Sequence, residues 1–201
     1  MNLAGELSHP RSLPNIAVKY LGPLSRFKKE ATSEKYELCI ILSGPEPQRT
    51  IFEQLILSEL EHVEGNVCLV RGLTGETEVP ALNKNGAEIK NHLPAEELNL
   101  VILQSKMIIS RCGYSSVMHL VKLGKKAILV PTPGQTEQEY LSRFLLGQKI
   151  FYSVEQENFS LPEVLKSAAD FEYNCSGEIG EHFKAVVKEF AGSLSPNNAG
   201  T

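Results

Sequence analysis

Short apolar segments alternate with segments of helical spacing over most of this 201-residue chain, beginning near residue 38. The apolar segments are 38–42, 67–70, 107–110, of which the last residue is a serine, and 127–130. Uninterrupted apolar runs of this length are typical of strands that a parallel sheet buries on both faces. Between the first two runs, the apolar side chains of 50–60 recur at the spacing of one helix face. The alternation predicts an α/β fold, a Rossmann-like parallel sheet with helices on both faces.

Composition places the chain among ordinary globular proteins and excludes several classes of function. Hydrophobic residues make up 42% of the sequence and charged residues 22%. The net charge of −4 argues against a broad nucleic-acid surface, so no nucleic-acid partner is expected. No apolar run reaches the ~20 residues that span a bilayer, and the chain does not start like a signal peptide. We therefore predict a cytoplasmic protein.

The four cysteines indicate neither a zinc site nor disulfides. None belongs to a Cys-x-x-Cys pair, and Cys39 and Cys68 lie in apolar, strand-like runs where a thiol behaves as a small hydrophobic group. We expect all four thiols to be reduced and structural, in agreement with a cytosolic location. Neither a metal nor a cofactor is expected.

The pattern divides the chain into three regions. Residues 1–35 are predicted to be an N-terminal segment or interdomain linker with a short strand at 16–21. Residues 36–192 are predicted to form one Rossmann-like domain, and 193–201 a disordered tail. Within the domain, one further helix begins at Pro94, other helices cover 115–123, 138–146, 161–169 and 178–190, and short strands cover 87–91 and 150–154. Gly124 and Gly147 are expected to end two of these helices.

Segment 107–119 is the strongest indication of function. A buried strand ends there in a turn around Gly113, and a helix begins at once. Open α/β sheets bind ligands at such turns, because the unpaired N–H groups of a helix N-terminus attract anions. The hydroxyls of Ser115 and Ser116 are able either to donate to a ligand oxygen or simply to cap the helix, and the residues alone leave both readings open.

Four motifs, in this order, resemble the C-terminal, nucleotide-sugar-binding domain of glycosyltransferase family 28. They are Ser110-Arg-Cys-Gly113, the helix start at Ser115 and Ser116, the strand within 124–131, and Gln138-Glu139-Tyr140 at the start of the next helix. The resemblance implies the C-terminal half of a B-type glycosyltransferase fold. The best-known member of that family adds N-acetylglucosamine to a lipid-linked muramyl-peptide acceptor.

The resemblance also implies a binding site for a UDP-sugar donor. Ser43 and Gly44 match a glycine-rich turn that faces the diphosphate in the family. This chain departs from that turn, because its two prolines lack N–H donors and Glu46 adds a negative charge. His92 and Leu93 match the place where the backbone reads the base and an aromatic side chain covers it.

The remaining implied contacts lie in or after the turn at Gly113. Those assigned to the ribose and the diphosphate are Arg111, Gly113, Tyr114, Ser115 and Ser116. His119 matches a family glutamate that holds the ribose hydroxyls, and Gln138 with Glu139 matches a pair that contacts the sugar hydroxyls. Simpler readings stay open: Arg111 as a surface ion-pair residue, His119 as a structural histidine, and the Gln-Glu pair as an ordinary first helical turn.

The implied reaction is transfer of a hexose, with N-acetylglucosamine as the expected sugar, from a UDP-sugar to an unknown acceptor. Helix N-termini, rather than an obligatory metal, would stabilise the leaving diphosphate. In this fold the general base usually comes from an N-terminal acceptor domain of roughly 100–200 residues, for which the chain has no room. No catalytic residue is therefore assigned, and the chain alone is expected to be inactive.

Three forms of the complete molecule remain open. The first is a longer cell-envelope enzyme that contains this donor domain and associates peripherally with the inner face of the membrane. The second is a two-component N-acetylglucosaminyltransferase in which this chain is the catalytic subunit. The third is a nucleotide-binding or interaction module without catalysis, which the departures at Pro45, Glu46 and His119 favour.

Overall fold

The computed structural model describes residues 2–13, 15–16, 18–75, 78–80, 86–174 and 182–194. Its strands are β1 (Tyr36–Ile41), β2 (Val67–Val70), β3 (Ala87–Lys90), β4 (Ser105–Ser110), β5 (Lys126–Leu129) and β6 (Tyr152–Ser153). They form one sheet in the order β3-β2-β1-β4-β5-β6, and every neighbouring pair is parallel. The predicted parallel sheet is confirmed.

Helices follow most of the strands. They are α1 (Gln48–Glu59), α2 (Ala95–Leu103), α3 (Tyr114–Leu123), α4 (Thr136–Gly147), α5 (Leu161–Asp170) and α6 (His182–Leu194). Short 3-10 helices occur at Gly5–Leu7, Leu60–His62 and Gln156–Asn158. Within the described ranges, no helix has both the length and the hydrophobicity needed to cross a membrane.

Hydrophobic clusters cover both faces of the sheet. On one face, Leu38 and Ile40 of β1 join a cluster that contains Phe52 of α1 and residues of α5. On the other face, Cys39 joins a cluster with residues of α2, α3 and α4. Neighbouring side chains of β1 enter opposite clusters because a strand points successive side chains to opposite faces. The prediction of helices on both faces is confirmed.

The N-terminal segment packs onto the domain and does not form the strand expected at 16–21. The described residues of that range are exposed and have no regular structure. Leu3 and Phe27, only 1% and 4% exposed, enter the cluster of α2, α3 and α4. The side-chain amide of Asn99 in α2 bonds both the N–H and the C=O of Lys28, at 3.2 and 3.1 Å. The described residues of 16–21 lie between these two anchored regions, and none of them pairs with a strand of the sheet.

The two glycines expected to end helices behave differently. Gly124 follows α3 in the left-handed conformation, with φ +66°, as predicted. Gly147 is instead the last residue of α4, and the left-handed residue after that helix is Lys149, with φ +56°. The N–H of Lys149 bonds the carbonyl of Leu146 at 2.9 Å, so the chain turns two residues later than the sequence suggested.

Two C-terminal predictions are only partly covered by the structure. β6 has two residues, shorter than the strand expected over 150–154. The helix predicted for 178–190 is described from His182 and continues to Leu194. Residues 178–181, the cysteine at position 175 and most of the predicted tail, 195–201, lie outside the described residues.

Candidate functional site

The order of the sheet reverses between β1 and β4, and such a reversal opens a crevice at the carboxyl ends of the two strands. Ile41 at the end of β1 pairs with Ser110 at the end of β4. The exposed residues Ser43 and Gly44 therefore lie beside the turn that leads from β4 into α3. The structure brings these two predicted site segments together at this switch point.

The N-terminus of α3 is open at the switch point. Gly113 is the N-cap residue, and no side chain caps the helix. The N–H groups of Tyr114, Ser115 and Ser116 have no hydrogen-bond partner among the described residues. Ser115 is exposed and Ser116 half-buried, and neither hydroxyl bonds another described group. The reading of these serines as simple helix caps is therefore wrong.

Among α1 to α5, α3 is the helix whose positive end meets no carboxylate. The first turns of the others carry Glu96 and Glu97 in α2, Glu137 and Glu139 in α4, and Glu163 in α5. In α1 the Glu46 carboxylate accepts hydrogen bonds from the Thr50 N–H at 3.1 Å and from Arg49 Nε at 2.5 Å. The first turn of α3 has no acidic residue. An anion is thus best accommodated at α3, because a helix N-terminus favours negative charge.

The Arg111 side chain lies beneath the switch point and is only 2% exposed. Its guanidinium donates to the carbonyls of Pro131 at 3.2 Å and Gln48 at 2.9 Å, with a longer bond to Val130 at 3.4 Å. It also lies over the Phe52 ring, 4.3 Å from the centroid. The reading of Arg111 as a surface ion-pair residue is wrong, and its predicted direct contact with a diphosphate does not fit this orientation.

Gln138 and Glu139 bend back onto the loop before their own helix. Gln138 Oε1 accepts the N–H of Thr132 at 3.0 Å, and Glu139 Oε1 accepts the N–H of Gly134 at 2.9 Å. Gln138 also bonds Gln135 through its amide nitrogen. These bonds shape the loop from β5 to α4. A contact of Gln138 and Glu139 with sugar hydroxyls, as predicted, therefore has to use the polar atoms that these bonds leave available.

His119 is engaged by the N-terminal segment. Its Nδ1 lies 2.8 Å from the hydroxyl of Ser25, and its ring stacks on Phe27 with centroids 4.1 Å apart. Burial, assisted by the positive charge of Arg26, lowers the pKa of His119 and favours the neutral ring. These contacts agree with the structural reading of His119, and they engage one of its two ring nitrogens.

Tyr114 faces a cavity of about 380 Å³ between α3 and the N-terminal segment. Ser8, His9, Tyr20 and Leu21 contribute to the opposite wall. The rings of His9 and Tyr20 stack with centroids 3.9 Å apart. The N-terminal segment thus forms part of the surroundings of the α3 N-terminus, which the sequence pattern did not indicate.

His92 and Leu93 lie between β3 and α2, on the side of the sheet where the carboxyl ends of the strands and the switch point lie. The His92 side chain is exposed, whereas that of Leu93 is 7% exposed and belongs to the core. The backbone N–H and C=O of Leu93 make no hydrogen bond with the described residues. Both groups are therefore available to a ligand, as the predicted reading of a base requires.

Sequence reasoning missed a buried ionic network beside the switch point. Glu53, 4% exposed, accepts hydrogen bonds from Arg49 at 3.0 Å and from Arg71. The i, i+4 spacing of Arg49 and Glu53 on a helix was a usable signal. Thr132 was also missed: its hydroxyl is buried without a hydrogen-bond partner at the end of the chain segment that follows β5.

The family model described as "Glycosyltransferase family 28 C-terminal domain" matches residues 39–178. A curated relative from Haemophilus ducreyi is named UDP-N-acetylglucosamine--N-acetylmuramyl-(pentapeptide) pyrophosphoryl-undecaprenol N-acetylglucosamine transferase. It is 27% identical over 149 residues, which cover 72% of this chain and 42% of the relative. The chain thus spans less than half the length of the curated relative it matches.

Solved glycosyltransferase structures share the fold. MurG of Acinetobacter baumannii has a TM-score of 0.57 at 17% identity, with 80% of this chain and 51% of that chain covered. The spinosyn rhamnosyltransferase SpnG, solved in complex with thymidine diphosphate, has a TM-score of 0.54 at 20% identity, with 80% and 46% covered. At these identities the similarity establishes the fold alone.

Proposed function

The chain belongs to the glycosyltransferase family 28 C-terminal domain family, and from this premise we propose that it is the donor-binding domain of an enzyme that transfers N-acetylglucosamine from its UDP-activated form. In this proposal the diphosphate binds at the N-terminus of α3. The observation that carries it is the open first turn of α3 at the switch point, where three N–H groups bond none of the described residues and no acidic side chain is present.

The ligand's other parts follow from this placement. The free backbone groups of Leu93 read the uracil edge, with His92 above the ring, and Ser115 and Ser116 donate to the phosphate oxygens. Gln138 and Glu139 approach the sugar with the polar atoms that the loop after β5 leaves free. Ser43 and Gly44 close the opposite side of the crevice. In this assignment α1 does not bind the diphosphate, because Glu46 already occupies its N-terminus.

The proposed chemistry is electrostatic. When a sugar–phosphate bond breaks, negative charge grows on the leaving diphosphate, and fixed N–H groups aimed at it stabilise the transition state. Because the side chains that contact a sugar acceptor have no assignment in this chain, we propose that an N-terminal acceptor domain or a partner subunit supplies them. The undecaprenol-linked acceptor in the relative's name supports peripheral association of that complete enzyme with the inner face of a membrane.

Calorimetric titration with UDP tests the proposed site. Ser115→Asp places a carboxylate in the open first turn of α3, where it interacts favourably with the helix and contributes about 0.5 kcal/mol of stability. We expect this variant to fold normally and to lose UDP binding, because the carboxylate occupies the anion position. Ser167→Asp adds the same charge to an exposed position of α5 and should bind UDP like the wild type.

Two results contradict the proposal: no UDP binding by the wild-type chain at millimolar concentration, or equal binding by Ser115→Asp and Ser167→Asp. Transfer is tested separately. The chain mixed with UDP-N-acetylglucosamine and lipid-linked acceptor should release no UDP above background until an acceptor-binding domain or subunit is added.

A second candidate is nucleotide binding without catalysis. The contacts of His119 with Ser25 and Phe27 favour it, because they engage the side chain at the position where the family has a ribose-binding glutamate. Under this alternative the complete protein binds UDP but transfers no sugar from any donor. Any turnover of UDP-N-acetylglucosamine by the complete protein decides for the enzyme.

A further inference from the structure

Among the described residues, the buried and half-buried arginines at the switch point are paired with carboxylates in all but one case. Arg49 bonds the carboxylates of Glu46 and Glu53, and Arg71 bonds Glu53, so two arginines face two glutamates. Arg111 is the exception. Every partner of its guanidinium is a backbone carbonyl or the Phe52 ring, and no described carboxylate pairs with it.

A buried charge without a counter-charge is unfavourable, since the neutral carbonyls satisfy its N–H groups but leave its net charge in place. The effect is visible in its titration, because burial lowers the pKa of Arg111 to about 10. In the sequence, Arg111 nevertheless comes two residues before Gly113, the N-cap of α3. In space, its guanidinium lies against the carbonyl of Gln48, the first residue of α1. Its charge is therefore buried at the switch point, between the segment after β5 and the start of α1, and its backbone leads directly into the helix whose first turn has no acidic residue.

We propose that Arg111 is an electrostatic positioning residue whose missing counter-charge is the diphosphate of the bound nucleotide, which it attracts without touching. This inference rests on the proposed donor site and adds the source of its charge. The guanidinium holds the exit of β5 against α1 through its carbonyl bonds, and its field adds to that of the α3 N-terminus. The bound diphosphate then supplies the negative charge near Arg111 that no described carboxylate provides.

If Arg111 only held the backbone carbonyls in place, its variants would bind UDP differently from what the electrostatic role predicts. Arg111→Lys keeps the charge but loses the planar fork that bonds several carbonyls, whereas Arg111→Met keeps a similar volume and loses the charge. We expect Arg111→Lys to bind UDP within about threefold of the wild type and Arg111→Met to bind at least about tenfold more weakly, or about 1.4 kcal/mol. Both should bind uridine, which carries no phosphate, like the wild type. Equal loss of UDP binding in the two variants, or equal loss for UDP and uridine, overturns the proposal.

A second variant tests the unmatched charge without disturbing the arginine. Gln48 begins α1, its carbonyl accepts a bond from Arg111, and its side-chain oxygen accepts one from Gln156 at 3.2 Å. Gln48→Glu keeps that side-chain acceptor and adds a carboxylate to the residue whose backbone carbonyl Arg111 bonds. We expect a higher melting temperature and weaker UDP binding, with a smaller rise in melting temperature when the same change is made in Arg111→Met, because the start of α1 by itself favours a carboxylate. Gln54→Glu, on an exposed position of the same helix, should change neither property.

An unchanged or lower melting temperature of Gln48→Glu, relative to Gln54→Glu, overturns the inference even in the absence of any ligand. Failure of the wild-type chain to bind UDP is a different outcome, because it removes the proposed function while the melting temperatures still report on the charge of Arg111.

Discussion

Glu53 shows at the scale of one residue how charge is arranged around the switch point. It lies on α1 between two arginines and is almost completely buried. Burial alone would raise the pKa of Glu53, but the hydrogen bonds and charges of Arg71 and Arg49 outweigh it and lower the pKa from 4.5. The ionised carboxylate is therefore part of the folded structure.

We predict that Glu53→Gln lowers the free energy of unfolding at pH 7 by about 3 kcal/mol, because Arg71 and Arg49 lose their buried partner. Urea denaturation measures the change. Glu61→Gln, on an exposed carboxylate, is the matched control and should stay within about 0.5 kcal/mol of the wild type. A loss as small as that of the control would show that the buried network does not stabilise the fold.

The lowered pKa of Glu53 also gives a pH dependence. A carboxylate with a depressed pKa stabilises the fold fully above its unfolded value, near 4.5, and this contribution disappears as the pH falls through the folded value. Between pH 7 and pH 3 the wild type should therefore lose more stability than Glu53→Gln. Parallel pH profiles of the two proteins, measured by urea denaturation, would contradict this assignment.

The described cysteines provide another residue-scale prediction. Cys39, Cys68 and Cys112 are fully buried free thiols, and burial raises the pKa of Cys112 to about 12, with a smaller contribution from Glu137. We expect a thiol reagent at pH 8 to modify these three residues only after denaturation, as mapped by peptide mass spectrometry. Rapid modification of Cys112 in the native protein would mean that the turn before α3 opens.

Some residue-level properties were readable from the sequence and others were not. The serines after Gly113 could be predicted to stand at a helix start, because a strand pattern ends immediately before them. The burial of Arg111 could not, since an arginine in a turn is usually exposed and its partners are carbonyls from distant segments. Side-chain orientation depends on the assembled fold, and local pattern does not contain it.

At the scale of elements, some helix ends could be predicted from the sequence and others could not. Gly124 was recognisable as a helix end because glycine tolerates the left-handed conformation. Lys149 was not, because a lysine at φ +56° is unfavourable locally and is held there by its surroundings. Equally little in the sequence indicated that the N-terminal anchors Leu3 and Phe27 pack onto the domain, since they follow no helical or strand period.

The two glycines at these ends make a matched pair of substitutions. Gly124→Ala should destabilise the protein by about 1 kcal/mol, because its φ of +66° is strained for any residue with a Cβ, although the Cβ would meet only Lys29 Nζ, at an ordinary contact distance of 3.6 Å. Gly147→Ala should be neutral or add about 0.5 kcal/mol, since Gly147 is helical and a Cβ meets nothing within 4 Å. Urea denaturation curves of the two variants with equal midpoints would contradict the assigned backbone conformations.

For the whole molecule, the order of apolar runs was enough to predict a parallel sheet with helices on both faces, because each buried strand must be followed by a crossover. The position of the crevice follows from strand order, which the sequence does not state. Charge then distinguishes the helix ends around the sheet: carboxylates meet the N-termini of α1, α2, α4 and α5, and α3 remains open. The central claim is that the diphosphate of a nucleotide-sugar binds there.

Titration of the ¹⁵N-labelled chain with UDP, followed by two-dimensional NMR, tests that claim most directly. We predict that the backbone amide signals of Tyr114, Ser115 and Ser116 shift most and saturate together, while that of Thr50, bonded to Glu46, hardly moves. Shifts centred on the first turn of α1, or no saturable shifts at millimolar UDP, would contradict it.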